Sequence, residues 1–228
     1  MDPLTELRDN RRRGLVLDEG HFSRLQQQIA PEWRTLEHAL RQLEQRQPPA
    51  DVLSQFKREA KQFDLSDPDK RASSLLIEAV ARNRLGQPRQ ALTSLRQAHA
   101  LEQNAISPQL QVDILREQGL IYSWQGNSEV ALSKYLLALN LSLRFGDDTG
   151  QALIWTAIAR LYMEMLATEQ AMHYFQSAFP IINQWTNSRE RIRLLKDMAE
   201  VQLSLNKLEE CQQTLHIITE SERDSQDT

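Results

Sequence analysis

Small residues recur along this chain at a fixed step of 40: Ala91, Ala131, Ala171 and Cys211 form one series, and Ala79, Gly119, Ala159 and Ala199 form another. A period of that size is the signature of a repeat architecture, in which each unit buries its apolar face against the next. Both series have bulky companions. Four residues after the first stand Leu95, Tyr135, Phe175 and Leu215, and three further on Ala98, Ala138, Ala178 and Ile218. Four residues before the second stand Leu75, Leu115, Trp155 and Leu195. Large and small side chains at i, i+4 spacing line one helix face, so that a bulky group of one helix settles over a small residue of its neighbour. Each period therefore reads as an antiparallel helical hairpin.

Breaks fall where such hairpins need them. Gly86, Gly126, Leu166 and Asn206 hold equivalent places at the turn inside each hairpin, and Pro88 suits a first helical turn. Asn127 or Ser128, Thr168 and Asn206 are candidate N-caps. Ser107-Pro108, the run Gly146 to Gly150, and Asn187-Ser188 separate the hairpins, and Asn187 with Glu190 has capping-box spacing. The predicted helices run from about 70 to 85, 88 to 103, 108 to 125, 128 to 145, 149 to 165, 168 to 184, 188 to 205 and 207 to 222.

Composition supports an all-helical, non-secreted protein. The 228 residues include only seven glycines, 40% are hydrophobic, and the net charge is −4. One cysteine, Cys211, cannot form an internal disulfide, and the apolar stretch after Arg11, Arg12 and Arg13 (Leu15, Val16, Leu17) is too short for a signal-peptide core. A cytoplasmic address is expected. No run approaches the roughly 18 apolar residues that span a bilayer, and a mildly acidic total speaks against nonspecific nucleic-acid binding.

The periodic residues resemble the tetratricopeptide repeat family, which places Trp-x2-Leu-Gly-x2-Tyr in the first helix and Ala-x3-Phe with a later Ala in the second. Leu115, Gly119, Tyr122, Ala131, Tyr135 and Ala138 stand at the family positions, as do Trp155, Ala159, Tyr162, Ala171, Phe175 and Ala178. The first and last repeats carry Arg82 and Gln202 in place of the tyrosine. The family's usual period is 34 residues, so a step of 40 implies longer helices. The resemblance covers about residues 70 to 222. It implies an all-α, right-handed superhelix of four hairpins over residues 67–222, closed at its start by an N-terminal helical cap.

Outside the repeats the pattern changes. Residues 1–20 are charged and glycine-broken, which reads as a flexible segment. Residues 21–66 read as the cap or a degenerate repeat: a helix from His21 to Arg46 interrupted near Pro31, with Trp33, Leu36, Leu40 and Leu43 as its stripe, then one from Ala50 to Phe63. That stripe could cover the first repeat or serve as a dimerisation arm. Ile217, off the stripe formed by Cys211, Leu215 and Ile218, leaves apolar surface at the other end. A homodimer through the terminal helices is therefore an expectation, and residues 223–228 read as a polar tail or linker.

No catalytic chemistry is encoded in recognisable form. There is no glycine-rich phosphate loop, no His-Glu-x-x-His and no cysteine pair. His21, His38, His99, His173 and His216 lack ligand spacing, so neither a metal nor a cofactor is predicted. A ligand would be a protein or peptide, which the resemblance implies lies in the concave groove lined by the first helices. By repeat position that groove holds Ser73, Leu76, Val80, Asn83 and Arg84; Asp113, Arg116, Leu120, Ser123 and Trp124; Leu153, Thr156, Arg160, Met163 and Glu164; and Arg193, Lys196, Glu200, Leu203 and Ser204. Partner binding is assigned to Arg84, Arg116, Trp124, Arg160, Met163, Arg193 and Lys196, because guanidinium groups hold carboxylates and carbonyls while an aromatic supplies desolvated area. The competing reading pairs these arginines with acids of the adjacent repeat. The Lys/Asn carboxylate clamp of chaperone-tail binders is absent, since its positions hold Leu76, Val80 and Leu120. Two functions follow: a regulatory or scaffolding adaptor that binds a partner in this groove, or the sensory domain of a longer signalling protein. In the second case Asp227-Thr228 would open the linker into a diguanylate cyclase (GGDEF) output domain.

Overall fold

Helices begin where the chain supplies a residue that tolerates a helix N-terminus, and proline, which lacks the orphan N–H, is the commonest here. The structure, a computed structural model, describes residues 2–15, 19–101, 106–185 and 188–224. Among them run twelve α-helices. They are α1 (Pro3–Arg12), α2 (Glu19–Gln27), α3 (Pro31–Glu44), α4 (Pro49–Glu59), α5 (Pro68–Arg84) and α6 (Pro88–His99). Then come α7 (Pro108–Trp124), α8 (Ser128–Phe145), α9 (Asp148–Glu164), α10 (Thr168–Ile182), α11 (Arg189–Ser204) and α12 (Leu208–Asp224). The fold is all-α and built of helical hairpins. The described residues form no strand, only an isolated bridge between Leu15 and Ser188.

The chain divides into two compact units: Met1–Arg8 with Asp18–Phe145, and Asp9–Leu17 with Gly146–Thr228. Within the first, α5–α6 and α7–α8 form hairpins, α6 packs on α7, and α3 and α4 pack on α5. Within the second, α9–α10 and α11–α12 form hairpins and α10 packs on α11.

The four hairpin turns share one backbone solution. Gly86, Gly126, Leu166 and Asn206 take φ of 73°, 74°, 59° and 57°. In each the next residue's N–H reaches back to close the helix end: Gln87 to Arg82 O, Asn127 to Tyr122 O, Ala167 to Tyr162 O and Lys207 to Gln202 O, at 2.8–2.9 Å. This is the six-to-one bond of a Schellman end, which requires a left-handed residue between. Helix starts are less uniform. Asp67 caps α5, Asp147 caps α9 through Gly150 N at 2.9 Å, and Ser188 caps α11 through Arg191 N at 3.2 Å. Asn187, half of the expected capping box, lies outside the described residues. Ala167 precedes α10 with no side-chain cap.

The periodic residues form the cores. Ala79, Ala91, Ala98, Leu95, Tyr135, Ala159, Ala171, Phe175 and Ala178 are all buried to within about 1%. The last hairpin departs from the pattern. Leu215 is 49% exposed, and Thr214 faces inward instead, its hydroxyl donating to Gln202 Oε1 at 2.9 Å. Gln202 stands where two other hairpins carry Tyr122 and Tyr162, and its amide draws a polar partner into the interface.

Two features of the N-terminus bear on how its sequence is read. Residues 3–12, expected to be flexible, form α1, whose Leu7 is buried. The α3 stripe, offered for dimerisation, is consumed within the first unit: Leu36, Leu40 and Leu43 are buried, and Trp33 packs on the same core with the Arg8 guanidinium 4.4 Å from its ring centroid.

Candidate functional site

In the first unit the assigned residues come from α5 and α7. Arg84 ends α5, and its Nη1 donates to the Leu43 carbonyl at the end of α3. Arg116, half-buried, reaches Glu117 Oε1 with Nη2 at 3.3 Å. Trp124 closes α7 with 60% of its surface in solvent. One period separates Arg84 from Trp124, and α5 contacts α7, so the two mark the same edge of adjacent first helices.

In the second unit Arg160 of α9 donates to Asp197 Oδ2 of α11 at 2.6 Å, an ion pair between neighbouring hairpins. Arg193 pairs with Glu190 one turn back at 2.5 Å. Met163 is half-buried against the core formed by Phe175 and Met198, and Lys196 is exposed. The charge expected to recognise a ligand is thus largely engaged inside the chain.

Several groove positions are not lining at all. Ser73, Leu76, Asp113, Ser123, Leu153 and Thr156 are buried. First helices in a stack touch the first helices before and after them, as α5 touches α3 and α7, which covers the middle of the face the repeat positions select. In α11 the positions Arg193, Lys196 and Glu200 stay exposed.

The polar cluster that sequence reasoning missed lies in the second unit, where residues 9–15 dock on the start of α9 and the start of α11. Arg12 and Asp147, both buried, form a two-pronged pair, Nη1 to Oδ1 at 2.9 Å and Nη2 to Oδ2 at 2.7 Å. Thr149 Oγ1 donates to Asp9 Oδ1 at 2.7 Å, and Ser188 Oγ to the Arg13 carbonyl at 2.5 Å. The Arg189 N–H adds a bond to the Gly14 carbonyl at 3.2 Å. A Cβ on Gly150 would come within 2.8 Å of Asp147 Cγ and 3.0 Å of Arg12 Nη2, so glycine is required for the pair to close. The arginine run and the Gly-Asp-Asp-Thr-Gly loop are both visible in the sequence. No local pattern joins them across 135 residues.

Titration shifts are few. Burial, with Lys134 nearby, holds His99 below its ordinary pKa, and burial beside Tyr162 raises Tyr174, whose ring stacks on Tyr162 at 5.5 Å. Among the described residues no group of three or more His, Cys, Asp or Glu could hold a metal ion, and no helix is long and apolar enough to cross a membrane.

These features define an all-α protein of stacked helical hairpins. A solved crystal structure of BtubC (BKLC) from P. vanneervenii is similar to it, with a TM-score of 0.64 over 99% of this chain and 89% of that one, at 13% identity. At that identity the likeness concerns the fold alone. No family model matches the chain, and no curated protein matches it in sequence.

Proposed function

We propose that this chain is a non-catalytic protein-binding module of the tetratricopeptide type, a cytoplasmic regulatory or scaffolding element whose first unit takes a peptide segment at the open end of the α5 and α7 face. The observation that carries the reading is Trp124. It is 60% exposed, and its counterparts in the other hairpins are Arg84, Glu164 and Ser204, so packing does not demand an aromatic there. Solvent-facing indoles are the residue type most often found as interface anchors.

Arg84, on the same edge, is likewise engaged, by the Leu43 carbonyl, so the ligand is one that offers an apolar side chain to the indole. The engaged state of Arg116, Arg160 and Arg193 shifts the weight of recognition from net charge to this apolar contact. The test replaces Trp124 with a photo-crosslinking phenylalanine analogue in the full chain, and exposed Lys57 with the same group as control. A discrete partner trapped at 124, absent at 57 and lost when unmodified ligand is in excess, supports the reading. Identical adduct patterns at both positions refute it.

A further inference from the structure

The four hairpins act as controls for one another, because a residue the fold requires recurs at its equivalents. Helix α8 breaks that rule on its outer side. Leu136 and Leu137 are 46% and 53% exposed, where α6 has Arg96 and Gln97 and α10 has Gln176 and Ser177. Leu143 is 54% exposed, where the third hairpin has Asn183, the residue just past the end of α10. At the places of Leu136 and Leu137 α12 has His216 and Ile217, so a solvent-facing leucine at the position of Leu136 is a property of α8 and not of the repeat.

The leucines have a pattern. Leu132, Leu136, Leu139 and Leu143 follow a 4-3-4 spacing, which at 3.6 residues per turn confines them to a strip about 60° wide. Leu132 and Leu139 are half-buried at its edge. That spacing is the seam of a two-helix coiled coil, in which each leucine enters the space between leucines of a facing helix. Polarity selects the facing helix. Glu129 lies at the N-terminal end of the strip and Arg144 at the C-terminal end, both exposed, and neither forms an ion pair among the described residues. An antiparallel copy sets Leu132 against Leu143, Leu136 against Leu139, and Glu129 near Arg144 at both ends; a parallel copy sets like charges together.

We infer that α8 is a homodimerisation helix that pairs antiparallel with α8 of a second copy of this chain. Its 18 residues span about 27 Å, and two such faces in contact remove on the order of 1,000 Å² of surface, the lower bound for a specific interface. The association is accordingly reversible and concentration-dependent.

Sedimentation of the full chain over a wide concentration range tests it. The variant Leu136→Gln/Leu143→Gln takes at 136 the residue α10 carries there and at 143 a polar residue of good helix propensity, and so preserves the hairpin. The wild type is expected to form dimers, and the variant to raise the dissociation constant by about a hundredfold or more with unchanged circular dichroism. Glu129→Arg should weaken the dimer, and adding Arg144→Glu should restore it. A wild type monomeric at all concentrations, or a dimer indifferent to the leucine variant, overturns the inference. A dimer indifferent to Glu129→Arg overturns the antiparallel order.

Discussion

The close approach of α7 and α8 rests on one missing methyl group. A Cβ built at Gly119 overlaps Cε1 of Tyr135, comes within 2.6 Å of Cδ1 and within 2.9 Å of Cζ. Ordinary carbon contacts begin near 3.5 Å, so Gly119→Ala forces the ring back by about 1 Å. Tyr135 is 1% exposed and has nowhere to go. Overpacking of this kind costs about 1–3 kcal/mol, while alanine regains about 0.5–1 kcal/mol of helix propensity over glycine. The net expectation is a loss of about 0.5–2 kcal/mol, seen as a lowered urea midpoint by circular dichroism and as faster amide exchange in α7 and α8.

The first hairpin supplies the remedy. There Ala79 coexists with Leu95, both fully buried. Tyr135→Leu alone should destabilise by about 2–4 kcal/mol through the cavity it leaves, yet Gly119→Ala in that background should be neutral or stabilising, a coupling of about 1–3 kcal/mol. The third hairpin, where Ala159 and Phe175 are both fully buried, shows that methyl and ring fit together when helix spacing allows it. The clash therefore belongs to the α7–α8 spacing. Equal cost of Gly119→Ala in both backgrounds would refute this account of how the two helices meet.

Three further outcomes follow from the same geometry. Arg12→Met should destabilise the second unit by about 3–5 kcal/mol, because it leaves Asp147 buried and charged; Arg12→Met/Asp147→Asn, which keeps a cap for Gly150 N, should recover most of that, and indistinguishable melting of the two variants would contradict it. Leu166 adopts a left-handed backbone while 86% exposed, so Leu166→Gly should raise stability by about 1 kcal/mol or less, and a lowered melting temperature would show that the side chain makes a contact of its own. His99 is held below its ordinary value of 6.5 by burial and then by Lys134, so below that pH the unfolded chain takes up a proton more readily than the folded one. Stability should fall as the pH drops from 6.5 through the lowered folded value, and His99→Gln should flatten that part of the urea-midpoint profile.

What the sequence disclosed of the fold is what periodicity can carry. Ala91, Ala131 and Ala171 name their own partners, because a residue that must be small at one contact must be small at each copy of it. The same logic placed the turns, and the left-handed φ shared by Gly86, Gly126, Leu166 and Asn206 is its physical content. The logic weakens where copies end. Cys211 and Ile218 are buried as the pattern requires, but α12 has no following hairpin among the described residues, and Thr214 replaces Leu215 at the interface. Helix α1 has no copy at all. Arg8 meets Glu37 at 3.1 Å and Arg12 meets Asp147, long-range pairs that leave no period behind.

The binding residues were harder to read because a family position specifies where a side chain starts, not what it meets. Arg160 was assigned to a ligand on position alone, and Asp197, 37 residues later, takes its guanidinium. Ser73 and Thr156 were assigned by the same rule and lie between helices. Trp124 differs from these in a way the sequence already contained. Its counterparts are an arginine, a glutamate and a serine, and the same comparison isolates Leu136 and Leu143 of α8. In a repeat protein the residues that agree with their copies describe packing. A large apolar residue that disagrees with them and still faces water is not accounted for by the repeat, and the contacts proposed for Trp124 and the α8 leucines rest on that ground.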